Sequence, residues 1–84
     1  MIDKVYNVEN LVVNQKVISF ELSGQEIIVP LEKSGSKALP SAKLEHLQIF
    51  ELDDDGIGIH WPVLDEDLSI SGLLRSVASV SLLR

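Results

Sequence analysis

The chain has 84 residues and a formal net charge of −6 at pH 7, with 45% hydrophobic and 24% charged residues. This length supports one small domain, residues 1–84, and the composition is that of an ordinary globular protein. Phosphate backbones repel an acidic surface, so direct nucleic-acid binding is not expected and a small basic protein is the expected partner.

The absence of cysteine and of long apolar segments indicates the cellular compartment in which the protein is expected. Cysteine is absent, which excludes disulfides and thiolate metal sites and fits a reducing cytoplasm. No signal peptide is apparent, and no apolar run approaches the roughly 18 residues that a membrane-spanning helix needs. We therefore expect a soluble, cytoplasmic protein with no membrane contact.

The amino-terminal third is predicted to be β-structure. Residues 2–8 form a first strand, residues 7–10 turn the chain, and the apolar residues 11–13 continue along the same edge. Residues 17–22 alternate, with Ile18, Phe20 and Leu22 on one side, which is typical of a strand with one buried face. Ser23 and Gly24 supply a turn because glycine tolerates positive φ. With residues 26–29 returning, a β-hairpin is predicted over residues 16–30.

The middle of the chain is predicted to contain a loop, a short helix and a second hairpin. Residues 32–39 have the polar composition of a loop, and a helix is expected to begin at Pro40 or Ser41 because proline suits a first helical turn. Residues 48–52 favour a strand, and Asp55-Gly56 favours a two-residue hairpin loop. Residues 57–61 form the partner strand, which Pro62 ends.

The carboxyl-terminal part is predicted to be helical. Asp65, Glu66 and Asp67 precede the apolar residues 68–74, and acidic side chains are favoured at the positive end of a helix dipole. Asp67 or Ser69 is expected to cap the first turn. An apolar stripe through residues 73, 74, 77 and 80 would pack on the sheet. The order β-β-β-α-β-β-α describes a small α+β domain with a mainly antiparallel sheet and one or two short helices.

The residues best suited to a site lie around the single tryptophan. On a strand, His60 and Trp61 point to opposite faces. His60 is interpreted either as a structural side chain hydrogen-bonded to Asp65 or Asp67, or as a general base. Trp61 is either the largest core side chain or a contact residue, since tryptophan is enriched at binding hot spots.

Other motifs do not support a metal, a cofactor or a nucleophile. His46 is not at a zinc spacing from His60, and residues 53–56 lack the downstream glutamate of a calcium loop. Residues 56–58 lack the third glycine of a dinucleotide motif, and no serine lies in a nucleophile elbow. We predict no catalytic residues, no metal ligands and no cofactor. The candidate partner-binding residues are His60, Trp61, Pro62, Asp65, Glu66 and Asp67.

Three segments together resemble a known signature: Gly-Ile-His-Trp-Pro at residues 58–62, Leu-Asp-Glu-Asp at 64–67 and Gly-Leu-Leu at 72–74. They are similar to the ending of the bacterial DUF2442 family, whose members are domains of unknown function. The resemblance covers most of the chain. The chain departs from the family pattern in two places. Its predicted helix has less arginine than is usual in the family, and its residues 75–84 are more apolar.

The resemblance implies an α+β domain that is often encoded beside another small protein and is suspected of belonging to toxin–antitoxin-like pairs. Some relatives are fused ahead of a helix-turn-helix domain. The leading hypothesis is a non-enzymatic protein-interaction module, the acidic antitoxin-like member of a two-protein system. The alternatives are a regulatory accessory or ligand-sensing domain working with a DNA-binding partner, and a hydrolase centred on His60. Unpaired strand edges would also favour a homodimer.

Overall fold

Three consecutive strands form the first of two antiparallel sheets. A computed structural model describes residues 7–53 and 57–82, with side-chain positions through residue 77. The first sheet has the order β1-β2-β3, with strands β1 (Val8–Val13), β2 (Val17–Leu22) and β3 (Gln25–Pro30). The predicted hairpin over residues 16–30 is confirmed, because β2 and β3 pair from Val17↔Pro30 to Leu22↔Gln25.

The turn of this hairpin uses the residues that were expected. Ser23 and Gly24 both have positive φ, at 52° and 82°, so the glycine occupies a conformation that other residues rarely adopt. The alternation of β2 is also observed, since Ile18 and Phe20 are fully buried while Ser19 and Glu21 on the opposite face are only partly covered. One face of the first sheet therefore belongs to the core.

The start of the first sheet differs from the prediction. Residues 7–10 do not turn the chain, because β1 runs through Val8 to Val13. The polar residues are accommodated in a register shift between Glu9 and Val12, where Asn10 has a φ of 56°. Asparagine tolerates this left-handed conformation, so the strand bulges instead of ending. The predicted strand at residues 2–6 lies outside the described residues.

The segment between the sheets is compact and mostly non-repetitive. The predicted loop contains a 3-10 turn at Leu31–Lys33, and a second 3-10 turn spans Leu39–Ser41. The predicted helix is a single turn, α1 (Leu44–Leu47), which begins a few residues later than expected. Buried Ser36 orders the approach to it, because its hydroxyl accepts hydrogen bonds from the backbone N–H groups of Ala38 and Leu39, both at 3.2 Å.

The second sheet has the order β4-β5-β6, with strands β4 (Glu51–Leu52), β5 (Gly58–Trp61) and β6 (Glu66–Ser69). The predicted pairing of the first two is confirmed, although β4 is shorter than the predicted strand over residues 48–52. The predicted hairpin loop at Asp55-Gly56 lies outside the described residues. The α+β class with antiparallel sheets is confirmed, and β6 is an additional strand in the predicted order.

β6 corrects the prediction for the acidic run. Residues 65–67 were expected at a helix start, but Glu66 and Asp67 belong to a strand that pairs with β5. The final helix, α2 (Ile70–Leu82), begins directly after it. Ser69 caps this helix, because its hydroxyl accepts a hydrogen bond from the Gly72 N–H at 2.9 Å. Of the two predicted caps, the structure therefore uses Ser69.

Both sheets and α2 contribute to one hydrophobic core. Its fully buried residues are Val13, Ile18, Phe20, Val29, Leu31, Leu39, Leu47, Ile59, Trp61, Ile70 and Leu73. The predicted helical stripe is observed as far as side chains are described, because Leu74 and Val77 also pack against this core. Within the described residues, no helix is long and apolar enough to cross a membrane.

Candidate functional site

The outward face of the second sheet carries two of the six candidate residues, His60 and Asp67. Ile59 and Trp61 of β5 point into the core, so Gly58 and His60 point outward. The strand register places Glu51 of β4 and Asp67 of β6 on either side of His60. Next to them, the Asp53 N–H donates to the Gly58 carbonyl at 3.0 Å. We call this surface the acidic face, defined by Glu51, Asp53, Gly58, His60 and Asp67.

His60 and Asp67 are hydrogen-bonded on this face, and they form an ion pair when the imidazole is protonated. The His60 Nδ1 lies 2.7 Å from an Asp67 carboxylate oxygen, and their side chains are 36% and 77% exposed. The hydrogen bond to Asp67 is the main cause that raises the pKa of His60 above its ordinary value of 6.5, and the negative charges of Glu51 and Asp65 act in the same direction. The prediction that His60 is hydrogen-bonded to Asp65 or Asp67 is confirmed, with Asp67 as the partner.

A shallow depression lies beside this pair, where Gly58 provides no side chain. Its volume is about 410 Å³, and Asp53, Gly58, Asp67 and Ser69 contribute to its lining. A Cβ atom at Gly58 would lie 3.2 Å from the Leu68 carbonyl oxygen and 3.3 Å from a carboxylate oxygen of Asp53. Glycine therefore keeps the space between the Asp53 and Asp67 carboxylates open.

The segment that builds the acidic face has negative charges and no neighbouring positive charges in the sequence. Residues 51–69 contain no lysine and no arginine. Their acidic residues are Glu51, Asp53, Asp54, Asp55, Asp65, Glu66 and Asp67. More than half of the chain's 13 acidic residues therefore occur in this segment, and a cationic group approaching the acidic face would meet a negative potential.

Trp61 does not contribute its ring to this surface. The side chain is fully buried, and the indole N–H donates to the Leu47 carbonyl at 3.1 Å. The tilted Phe50 ring lies with its centroid 6.2 Å away. Of the two interpretations left open by the sequence, the structure has Trp61 as the largest core side chain, and its ring is not exposed to a partner.

The other candidates lie around the turn between β5 and β6. Pro62 and Asp65 are exposed, and Asp65 has a φ of 54°, which aspartate tolerates better than most residues. Glu66 pairs with Trp61 across the strands and is partly buried. The structure therefore brings His60 and Asp67 together and places Pro62 and Asp65 at one end of the same sheet.

Three members of the acidic face were not among the candidate site residues predicted from the sequence: Glu51, Asp53 and Gly58. The spacing could have identified them, because Asp53 lies two residues after Glu51 and just beyond the end of β4, as Gly58 and His60 are two residues apart on β5. Side chains two apart share a face of a strand. If the two strands of the predicted hairpin had been aligned so that residue 51 is opposite residue 60, Glu51 and Asp53 would have been placed beside Gly58 and His60.

The arrangement is chemically suited to accept hydrogen bonds from cations. Carboxylates on either side of β5 can bind the ammonium group of lysine or the forked guanidinium of arginine. His60, with Nδ1 fixed by a carboxylate, also has the orientation that a general base requires. Among the described residues, no group of three or more His, Cys, Asp or Glu side chains is arranged to hold a metal ion.

Comparison with known proteins identifies a family and no closer relative. The family model described as a protein of unknown function, DUF2442, matches residues 8–79. No curated protein and no solved structure matches the chain significantly. The family match begins with β1 and extends into α2, so it includes both sheets and every residue of the acidic face. The chain belongs to the DUF2442 family.

Proposed function

We propose that this domain is a non-enzymatic interaction module that binds a basic protein partner through the acidic face. The observation that carries the proposal is the placement of Glu51 on β4, Asp53 directly after β4 and Asp67 on β6, so that carboxylates flank β5 on both sides of one open sheet face. The segment that builds this face contains no lysine or arginine, so a basic partner would supply the missing counter-charges.

The proposed biological role is that of the acidic, antitoxin-like member of a two-protein system. Support comes from the net charge of −6 and from the resemblance to a family suspected of belonging to toxin–antitoxin-like pairs. In this role the module would bind and restrain its partner through surface contacts, and no reaction would take place on the acidic face.

Co-expression with the protein encoded beside this gene tests the proposal. We expect the two proteins to co-purify at low salt and to separate as the salt concentration rises, because exposed charge contacts are screened. The informative variant is Glu51→Gln with Asp53→Asn, which removes two charges from the acidic face and retains the His60–Asp67 pair. Its matched control is Glu32→Gln with Glu45→Gln, which removes two exposed charges elsewhere.

We expect the first variant to weaken the complex by about tenfold or more and the control to leave it within about twofold. A neighbouring protein that does not bind the wild-type chain would contradict the antitoxin-like role. Equal weakening by both variants would mean that only the overall charge attracts the partner and that the acidic face is not the contact surface.

The depression over Gly58 favours a second candidate function, that of a ligand-sensing accessory domain. A space of about 410 Å³ between carboxylates could hold a small organic cation. A thermal-shift screen of amines and guanidines tests this, because a ligand that binds only the folded state raises the melting temperature. A Gly58→Ala variant that still responds to the ligand would place binding elsewhere.

The His60–Asp67 hydrogen bond keeps a hydrolase centred on His60 as a third hypothesis. A broad hydrolase screen comparing the wild type with His60→Ala distinguishes it from a surface ion pair. Activity that is the same in both proteins, or that is absent from both, would remove this hypothesis.

A further inference from the structure

The outer face of the first sheet has a distinct pattern that the acidic face does not share. The core side of this sheet carries Ile18, Phe20 and Val29, so the alternate residues point away from the core. Pairing places these outward residues in three rows across the strands. We define the dimer face as these rows: Val17 and Pro30; Val12, Ser19 and Ile28; and Glu9, Glu21 and Glu26.

The middle of the dimer face is apolar and exposed. Val12 and Ile28 are 52% and 49% exposed, which places them among the most exposed large hydrophobic side chains of the described chain. They flank Ser19 on β2, and the row of Val17 and Pro30 lies beside them. A groove of about 150 Å³ continues this apolar strip from Ile28 and Pro30 to Val77 of α2.

One end of the dimer face is a row of like charges. Glu21 is paired with Glu9 on one side and with Glu26 on the other, so three carboxylates lie side by side across the sheet. Among the described residues, none of these three glutamates makes a salt bridge. Like charges directly opposite one another on neighbouring strands are destabilising, so this row would be relieved by cations from outside the sheet.

The opposite end of the same face carries a lysine. Lys33 lines the groove together with Ile28 and Pro30. The backbone of Lys16 lies near the same end, because its carbonyl accepts the Leu31 N–H at 2.9 Å. Along β3, the dimer face therefore passes from Lys33 through an apolar strip to Glu26.

We propose that the dimer face binds the same face of a second copy of this chain. The two copies are related by a 180° rotation about an axis that lies in the plane of contact and runs along the apolar strip, across the strands. The ideal partner for this surface has an apolar centre with a glutamate opposite Lys33 and a lysine opposite Glu26. The dimer face itself has this order, so it is complementary to its own rotated copy. In such an isologous contact each pairing between a lysine and a glutamate occurs twice.

The dimer face is small, which is typical of a weak contact. Three strands spaced by about 4.8 Å, each contributing about 20 Å of length, present roughly 300 Å² in projection. This is well below the area of about 800 Å² per partner in a standard stable interface. The dimer is therefore weak and depends on concentration, with a dissociation constant of about 10 µM to 1 mM.

Sedimentation equilibrium of the purified full chain tests the dimer directly. Over concentrations from about 5 µM to about 1 mM, we expect the average mass to rise from that of a monomer toward that of a dimer. Ile28→Glu should raise the dissociation constant about tenfold or more by placing a charge in the apolar strip. The matched control is Val63→Glu, since Val63 is 53% exposed and lies in the turn after β5. This control should dimerise like the wild type.

A charge exchange tests the orientation and does not depend on the folding of the Ile28 variant. Glu26→Lys and Lys33→Glu should each weaken the dimer, and the double variant should restore it to within about threefold of the wild type. A mass that stays monomeric throughout overturns the proposal. So does equal weakening by Ile28→Glu and Val63→Glu, or a double variant that stays as weak as the single variants. This test does not involve the acidic face, so its failure would leave the proposed function untouched.

Discussion

The first and second sheets are both three-stranded and antiparallel, but they differ in strand length and in the chemistry of their outer faces. The first has three strands of six residues and an outer face with exposed valine and isoleucine. The second has strands of two, four and four residues and an outer face with carboxylates around His60. Their inner faces share one core. Binding specificity can therefore change on either outer face without a change in the packing that holds the sheets together.

The largest expected effect comes from removing a core side chain from either sheet. Trp61→Ala and Phe20→Ala should each lower the free energy of unfolding by about 3–5 kcal/mol, because each leaves a large cavity. The tryptophan variant also loses the hydrogen bond to the Leu47 carbonyl. Urea unfolding followed by circular dichroism measures both. A domain of this size has about 5–10 kcal/mol in total, so partial unfolding of either variant is expected.

A less disruptive pair tests whether the sheets unfold together. Ile18→Val and Ile59→Val each remove one methylene group from a fully buried side chain, at a cost of about 0.5–1.5 kcal/mol. Hydrogen exchange should show lower protection in both sheets for both variants. Loss of protection confined to the mutated sheet would contradict a single cooperative core.

A smaller effect is expected at the junction of β6 and α2. Ser69→Ala removes the hydroxyl that accepts the Gly72 N–H and should cost about 1 kcal/mol in thermal or urea unfolding. The comparison variant is Asp67→Ala, which removes an exposed partner of His60 and should cost less than about 0.5 kcal/mol at neutral pH. A larger loss of stability in Asp67→Ala than in Ser69→Ala would mean that Asp67, and not Ser69, stabilises the start of α2.

The row of glutamates on the first sheet predicts a gain in stability. Glu21→Gln keeps the side-chain size and removes repulsion from Glu9 and Glu26, which should stabilise the fold by about 0.2–1 kcal/mol at low salt. The gain should shrink as salt screens the exposed charges. Glu45→Gln on α1 is the control, and an equal gain there would trace the effect to net charge alone.

The smallest effect is expected from the ion pair on the second sheet. The pKa of His60 is raised in the folded state, so protonated His60 stabilises the fold. This contribution to the free energy of unfolding is fully present below pH 6.5 and is lost as the pH rises through the raised pKa. NMR titration of the imidazole in wild type and in Asp67→Asn measures this. The variant should bring the His60 pKa down toward 6.5. His46→Gln should leave the His60 titration unchanged, and a similar fall in that control would contradict the assigned cause.

The first sheet was largely predictable because its strands are long enough for alternation to be recognised. Residues 17–22 have an apolar side chain at every second position, Ile18, Phe20 and Leu22, and a Ser-Gly turn follows them; both agree with the structure. The start of β1 was mispredicted since local turn chemistry at residues 7–10 was given more weight than pairing with β2. A bulge accommodates the turn-forming residues and still lets the strand pair with β2. Because its position depends on that pairing, the local sequence does not predict it.

The second sheet was harder because β6 contains three polar residues in four. Glu66, Asp67 and Ser69 suit a helix start, and the alternation over so few residues is too short to outweigh that preference. Pairing with β5 decides the conformation, which is a tertiary effect. The His60–Asp67 contact was anticipated because both residues were placed near each other in the signature. Glu51 and Asp53 were missed since their importance depends on the register of β4.

The buried indole has a practical consequence for measuring this protein. Trp61 is the only tryptophan of the chain, it is fully buried, and neither outer face includes its ring. Its fluorescence should therefore shift to longer wavelengths when the core is lost and stay nearly constant when a molecule docks on either sheet. Emission spectra would thus track unfolding independently of binding, and labels that report association are best attached to surface positions of the two outer faces.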